Sequence, residues 1–207
     1  MFFDRFHFID PTPLIDGDFE LLAPEEWLID EVLTSCGHPL TQLYAPLDSQ
    51  ITREQLTHFV KSFPFGHEPA NASAGRVCQY HFWMRLRDGC WGTPAAPPIR
   101  VVGGIGLRLG STPTIELYYG HLGYHVYPAA RGRHYALRAC RLLLPLARHH
   151  GYKHLWITCN PENTASRRTC EQLGGKLVEV IPVPENEPLF ARGELWKCRY
   201  KLDLPRQ

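Results

Sequence analysis

The chain has 207 residues, 44% of them apolar, with 22 Lys and Arg against 21 Asp and Glu. That length suits one domain with a sizeable core, and a net charge of +1 offers no excess of cations, so neither nucleic acid nor a membrane surface is an expected partner. The 7 cysteines are odd in number and include no C-x-x-C pair, which argues against a disulfide framework and a zinc site and for reduced thiols packed in the core, with no metal expected.

Residues 1–18 contain Pro11, Pro13 and Gly17 and read as an irregular arm. Its aromatic start is broken by Asp4, Arg5 and His7, so no signal peptide is expected. No run approaches the roughly 18 apolar residues of a membrane span, and a cytoplasmic location is expected. Phe19–Leu22 reads as a short strand. Pro24 and the acids after it open a helix with Trp27, Leu28, Val32 and Leu33 at helical spacing, ended near Gly37 and Pro39. Thr52 and Gln55 are spaced as a capping box before a helix carrying Leu56, Phe59 and Val60, with Asp48 or Ser49 as alternative caps. A loop is expected over 64–75, a strand over Val77–Arg87, a Pro-rich loop over Trp91–Pro98 and a strand over Ile99–Leu109. Thr114–Tyr118 and Leu122–Tyr127 read as a third extended region, interrupted at Gly120.

The pattern then changes. After the turn at Pro128–Gly132, Arg133–His150 reads as one helix with Leu137, Cys140, Leu144 and Ala147 on an apolar face and Gly151 as its stop. A buried strand is expected at Lys153–Cys159, a helix at Ala165–Leu173 and two last strands at Lys176–Val183 and Glu194–Leu204. The order predicts an α/β fold of the α+β type: a mixed, mostly antiparallel central sheet of about seven strands with helices on both faces. No compositional break divides it, so a single domain over 1–207 is expected, with 1–75 as arm and helices and 77–204 as core.

A strand turning abruptly into a helix leaves the helix's first N–H groups unpaired at the positive end of its dipole. Arg131 and Arg133 add charge there, and Gly132 permits close approach to the main chain, so Arg131–Ala136 reads as a phosphate or pyrophosphate site. The Gly103-Gly-Ile-Gly106 cluster is not followed by a helix and does not read as a dinucleotide loop. A P-loop-like nucleotide site is disfavoured, because no Gly-Lys-Ser/Thr is present.

Residues 122–175 resemble the acetyl-CoA-binding core of the GNAT superfamily of N-acetyltransferases, and the resemblance covers about half the chain, from the strands near Val77 onward. The hexad Arg131-Gly-Arg-His134-Tyr-Ala136 matches that family's signature at its ends and departs from it at His134, where glycine is usual. Gly120–Pro128, Trp156–Asn160, Asn163–Ser166 and Leu173–Gly175 resemble the strand, strand and helix around it. The resemblance implies acetyl-CoA as co-substrate and a small-molecule or peptide amine as acceptor; a homodimer is left open. It implies pantetheine along Tyr124–Val126 in a gap between two splayed strands. It also implies pyrophosphate on Gly132, Arg133, His134, Tyr135 and Ala136, and further contacts from Asn160, Asn163, Ser166 and Arg167 or Arg168. The family's Tyr acid corresponds to Cys170, and its second-strand Glu to Thr158. Candidate bases are therefore Glu116, His121 and His125, with Tyr124 or Cys170 as acid. Strand alternation puts His121 and His125 on one face and Tyr124 on the other, unless a bulge near Gly120 or Gly123 changes the order. The missing Tyr and Glu motivate a second reading, an acyl-CoA-binding sensor without catalysis.

Overall fold

The computed structural model describes residues 8–63, 67–68, 77–89, 91–93 and 96–205. Strands β1 (Leu14–Asp16) and β2 (Phe19–Leu22) form a hairpin within the expected arm. A short 3-10 turn leads into α1 (Ile29–Cys36). Pro39 does not only end that helix; it starts a second one, α2 (Pro39–Tyr44), at the position where a missing N–H costs nothing. In α3 (Arg53–Ser62) the predicted capping box forms: Gln55 N donates to Thr52 Oγ1 at 3.2 Å and Thr52 N to Gln55 Oε1 at 2.8 Å.

The loop expected over 64–75 lies mostly outside the described residues; within it β3 (His67–Glu68) pairs with β4 (Gln79–Leu86). The Pro-rich segment expected as a loop makes a small hairpin of β5 (Trp91–Thr93) and β6 (Ala96–Ile99). Next come β7 (Val101–Arg108) and β8 (Leu122–Val126). Between them, Ile115–Tyr119 is a π-helical turn, where an extended segment was expected. The remaining elements are α4 (Tyr135–His149), β9 (His154–Cys159), α5 (Thr164–Gln172), β10 (Lys176–Pro182) and β11 (Trp196–Asp203).

The single sheet expected from the sequence is divided. One sheet has the order β1-β2-β4-β7-β8, with β3 also on β4; the other has the order β10-β11-β9. Every pairing is antiparallel. One face carries Tyr80, Phe82, Ile105, Leu107 and Leu122 against α4 and its buried Ala139, Cys140 and Leu143. The other carries Trp83, Val101 and Tyr127 against α1 and α3, through Ile29, Val32 and Leu56. Helices on both faces agree with the sequence reading. Arg85 fixes α1 to the sheet, donating to Glu31 at 2.8 and 2.9 Å and to Glu20 at 2.9 Å.

Gly120 positions the start of β8. Its φ of 68° and ψ of 165° lie in a region open only to glycine, and a Cβ there would stand 2.9 Å from Thr158 N. Gly120→Ala is expected to cost about 3 kcal/mol, combining backbone strain and overpacking. Thermal unfolding should report this as a midpoint roughly 6–12 °C lower.

Candidate active site

The two sheets meet where β8 and β9 come together and then part. His121 N donates to Trp156 O at 2.6 Å, and Thr158 Oγ1 donates to Tyr118 O at 2.8 Å. Beyond this junction β8 pairs only with β7. Arg108 N donates to His121 O, and Tyr127 N donates to Val102 O, so the odd-numbered residues of β8 direct their main-chain groups at β7. Leu122, Tyr124 and Val126 consequently turn theirs toward the gap. A narrow cleft of about 190 Å³ lies there, its walls including Gly123, Tyr124, Thr158, Cys159, Asn160 and Asn163. An extended chain with amide groups can continue the sheet along that free edge, as an added strand would.

The gap leads to the start of α4. Arg131, Gly132, Arg133 and His134 are all exposed, and the His134 side chain makes no capping hydrogen bond. Arg131 Nε donates to Val126 O at 3.1 Å, which occupies that carbonyl and ties the loop to the end of β8. Gly132 has a φ of 81°, and His134, the residue preceding the helix, has a φ of 59° and a ψ of 20°. The sequence reading put His134 inside the first helical turn, with no need of positive φ. The helix instead begins at Tyr135, and His134 is left-handed, the backbone state that explains glycine at this place in the signature. Left-handed residues in such a turn aim successive N–H groups into one concavity, which suits an anion. Because a non-glycine residue costs about 1 kcal/mol in this conformation, His134→Gly is expected to raise the unfolding midpoint by roughly 2–4 °C. Acetyl-CoA affinity measured by calorimetry should stay near wild type in that variant.

Alternation does not hold for the two histidines. His121 precedes β8 at the junction and is buried; its Nδ1 accepts from Trp156 N at 2.9 Å, and its ring packs on Tyr152. Burial pushes it down to about 4, so it is a neutral clasp between the sheets. His125 is on the α1/α3 side, packed edge-on against Tyr127. Desolvation lowers its pKa although the residue is exposed. Glu116 lies in the π turn, where its carbonyl accepts from Arg199 Nε at 2.9 Å; it is not among the cleft walls.

Tyr124 takes the α4/α5 side. Its hydroxyl is 2.9 Å from Ser166 Oγ, and burial raises its pKa, so it stays protonated. Cys170 is completely buried; the hydrogen bond with Cys159, then burial, raise its thiol. Asn163 caps α5, its Oδ1 accepting from Ser166 N at 3.0 Å. Asn160 Oδ1 accepts from Lys197 Nζ at 2.7 Å. Arg167 is held to Tyr200 and to Pro161 O, while Arg168 is exposed. Both charged cleft residues were missed by the sequence reading: Lys197, and Glu194, which pairs with it. Their i, i+3 spacing at the start of β11 was the available signal. Among the described residues no group of three or more His, Cys, Asp or Glu could hold a metal, and no helix is long and apolar enough to cross a membrane.

Residues 12–176 match the family model of the acetyltransferase (GNAT) domain. The chain belongs to the GNAT acetyltransferases. As a member it is an acyltransferase, and solved GNAT structures share its fold. MccE, a microcin C7 self-immunity acetyltransferase solved with acetyl-CoA and AMP, superposes with a TM-score of 0.65 at 14% identity, covering 94% of this chain and 98% of that one. An acetyltransferase from Salmonella typhimurium that modifies the N-terminal serine of ribosomal protein L7/L12 gives 0.60 at 14%, covering 93% and 98%. A GNAT acetyltransferase from Bacillus anthracis gives 0.57 at 18%, covering 91% and 96%. No curated protein matches this GNAT chain by sequence.

Proposed function

We propose that this enzyme moves an acetyl group from acetyl-CoA to a primary amine by direct attack, within one cytoplasmic domain in which the helices between residues 29 and 62 lie near the acceptor. The observation that carries the reading is continuous geometry: a strand edge whose Tyr124 and Val126 N–H groups face the gap, running into a helix start with left-handed backbone at His134 and no capping hydrogen bond from its side chain. Acetyl-CoA supplies the activated acyl group and a thiolate leaving group. The N–H groups of 132–136 hold its pyrophosphate, the β8 edge at Tyr124 and Val126 holds the pantetheine amides, and Asn163 with Arg168 reach the remainder. MccE, with acetyl-CoA bound, is a precedent for that occupant.

His125 takes the proton of the attacking amine. Of the two candidate histidines, both with pKa lowered by desolvation, it is the one whose residue is exposed, on the α1/α3 side of the sheet. A β8 main-chain N–H stabilises the developing oxyanion. Tyr124, protonated and lining the cleft, offers its hydroxyl to the departing sulfur; Cys170 sits behind it as packing. Tyr124→Phe is expected to lower kcat about 10-fold, the worth of one hydrogen bond to a charged group. Cys170→Ala should cost less than about 3-fold, because water can complete protonation of a thiolate. Thiol release from acetyl-CoA across a panel of amines tests the reading. Amine-dependent release supports it; tight acetyl-CoA binding without release to any amine would favour the sensor.

A further inference from the structure

The face of the sheet beneath α1 and α3 has an unusual register. Across β4, β7 and β8 the neighbours are Gln79 and Arg108, then His81, Gly106 and Gly123, then Trp83, Gly104 and His125. The glycines leave the sheet bare, and longer side chains lie down on it. A Cβ on Gly104 would stand 2.8 Å from His125 Cε1 and 3.5 Å from His81 Nε2. One on Gly123 would stand 3.1 and 3.2 Å from the two terminal nitrogens of Arg108. Two imidazoles and a guanidinium are thus spread over a glycine floor, with the Phe59 and Phe63 rings packed on His81 at 4.9 and 5.5 Å between centroids.

Arg108 is half-buried, and no carboxylate among the described residues pairs with it. Its Nη1 donates to the carbonyls of Tyr119 and Gly120, both at 3.1 Å, and its charge lies 5.8 Å from the Tyr119 ring centre. Three other arginines with limited exposure have carboxylate partners, Arg85 with Glu20 and Glu31, Arg138 with Asp16 and Asp18, and Arg199 with Glu179, whereas Arg100, Arg148 and Arg167 have none among the described residues. Burial acts against the Arg108 charge, lowering its pKa, yet arginine stays cationic. A cation removed from water calls for an anion, and Nη2 and Nε have no acceptor among the described residues. Gly123, under the guanidinium, is also a wall of the cleft between β8 and β9, so the cation stands where the acceptor face and the cleft meet.

We propose that Arg108 receives an anionic group of the acceptor, so that the substrate is a primary amine also bearing a carboxylate or a phosphate, seated between Arg108 and the imidazoles of His81 and His125. This rests on the acetyl-transfer reading and narrows its substrate class. The two imidazoles suit the amine end, because burial keeps both uncharged at neutral pH, with His81 pushed down to about 3. The guanidinium repels an ammonium, so it favours the free amine that attack needs.

The test titrates the full chain, with and without saturating desulfo-CoA, using two matched pairs of probes: phenylalanine against phenylalaninamide, and O-phosphoethanolamine against ethanolamine. The charged member of at least one pair should bind about 10-fold or more tightly than its neutral partner, the worth of a charge-assisted pair. The responding pair distinguishes carboxylate from phosphate. Arg108→Gln should abolish the preference and Arg108→Lys retain part of it, both with unchanged acetyl-CoA affinity. A merely structural Arg108 would shift the unfolding midpoint and leave the preference intact. The proposal is overturned if neutral members bind as tightly, if no probe binds the wild type, or if the preference survives in Arg108→Gln. Should acetyl-CoA itself fail to bind while the preference holds, the acetyl-transfer reading falls and the anion site stands.

Discussion

Gly132→Asp is expected to lower acetyl-CoA affinity about 100-fold or more, with the fold intact. Gly132 is exposed, and a Cβ there meets nothing within 4 Å, so packing does not oppose the substitution. A carboxylate would stand in the concavity formed before α4, against a pyrophosphate carrying the same sign. At an effective dielectric constant of about 20, like charges roughly 4 Å apart repel by about 4 kcal/mol, enough for a loss of that size. The φ of 81° adds backbone strain for any side chain. Gly132→Ala carries that strain without the charge and should stay within about 10-fold of wild type. Calorimetric titration of both variants separates electrostatics from conformation.

His125→Ala is expected to lower kcat about 100-fold, the lower end for loss of a general base, with acetyl-CoA affinity unchanged. The pH profile gives a second test. Burial, with Arg131, lowers the His125 pKa below 6.5, while Asp48 acts in the opposite direction; His81 and Arg108 also face this side of the sheet. The neutral, proton-accepting ring therefore persists at neutral pH and is lost only as pH falls through the lowered value. The acid limb of kcat should lie below pH 6.5 in the wild type and vanish in His125→Ala. His121→Ala should instead reduce stability, because its ring accepts a β9 amide, and leave the acid limb in place.

The parts of the molecule set by local chemistry were legible in the sequence. Thr52 and Gln55 signal a cap through their spacing alone, and the strand–turn–helix at 122–150 puts the expected helix start within two residues of where α4 begins. The rest depends on contacts distant in sequence. Nothing local distinguishes one sheet from two; the division appears because β8 and β9 join only at His121 and Trp156. His134 resembles a helical residue by composition, and its left-handed state is visible only in the backbone. His121 and His125 are four apart, which predicts a shared face, yet the Gly120 turn diverts the first into the junction. Arg108 passed unnoticed because its significance lies in lacking a carboxylate. The three glycines before it, at 103, 104 and 106, were set aside when they failed to fit a dinucleotide loop, whereas two of them form part of the floor beneath His81 and His125.

Amide hydrogen exchange with and without saturating acetyl-CoA tests the central claim most directly. Pantetheine on the β8 edge and pyrophosphate at the start of α4 predict slowed exchange at Tyr124 and Val126 and through 132–136, with the exposed strand β10 unchanged as internal reference. Acetyl-CoA that binds by calorimetry but leaves those amides exchanging at their free rates would contradict the account.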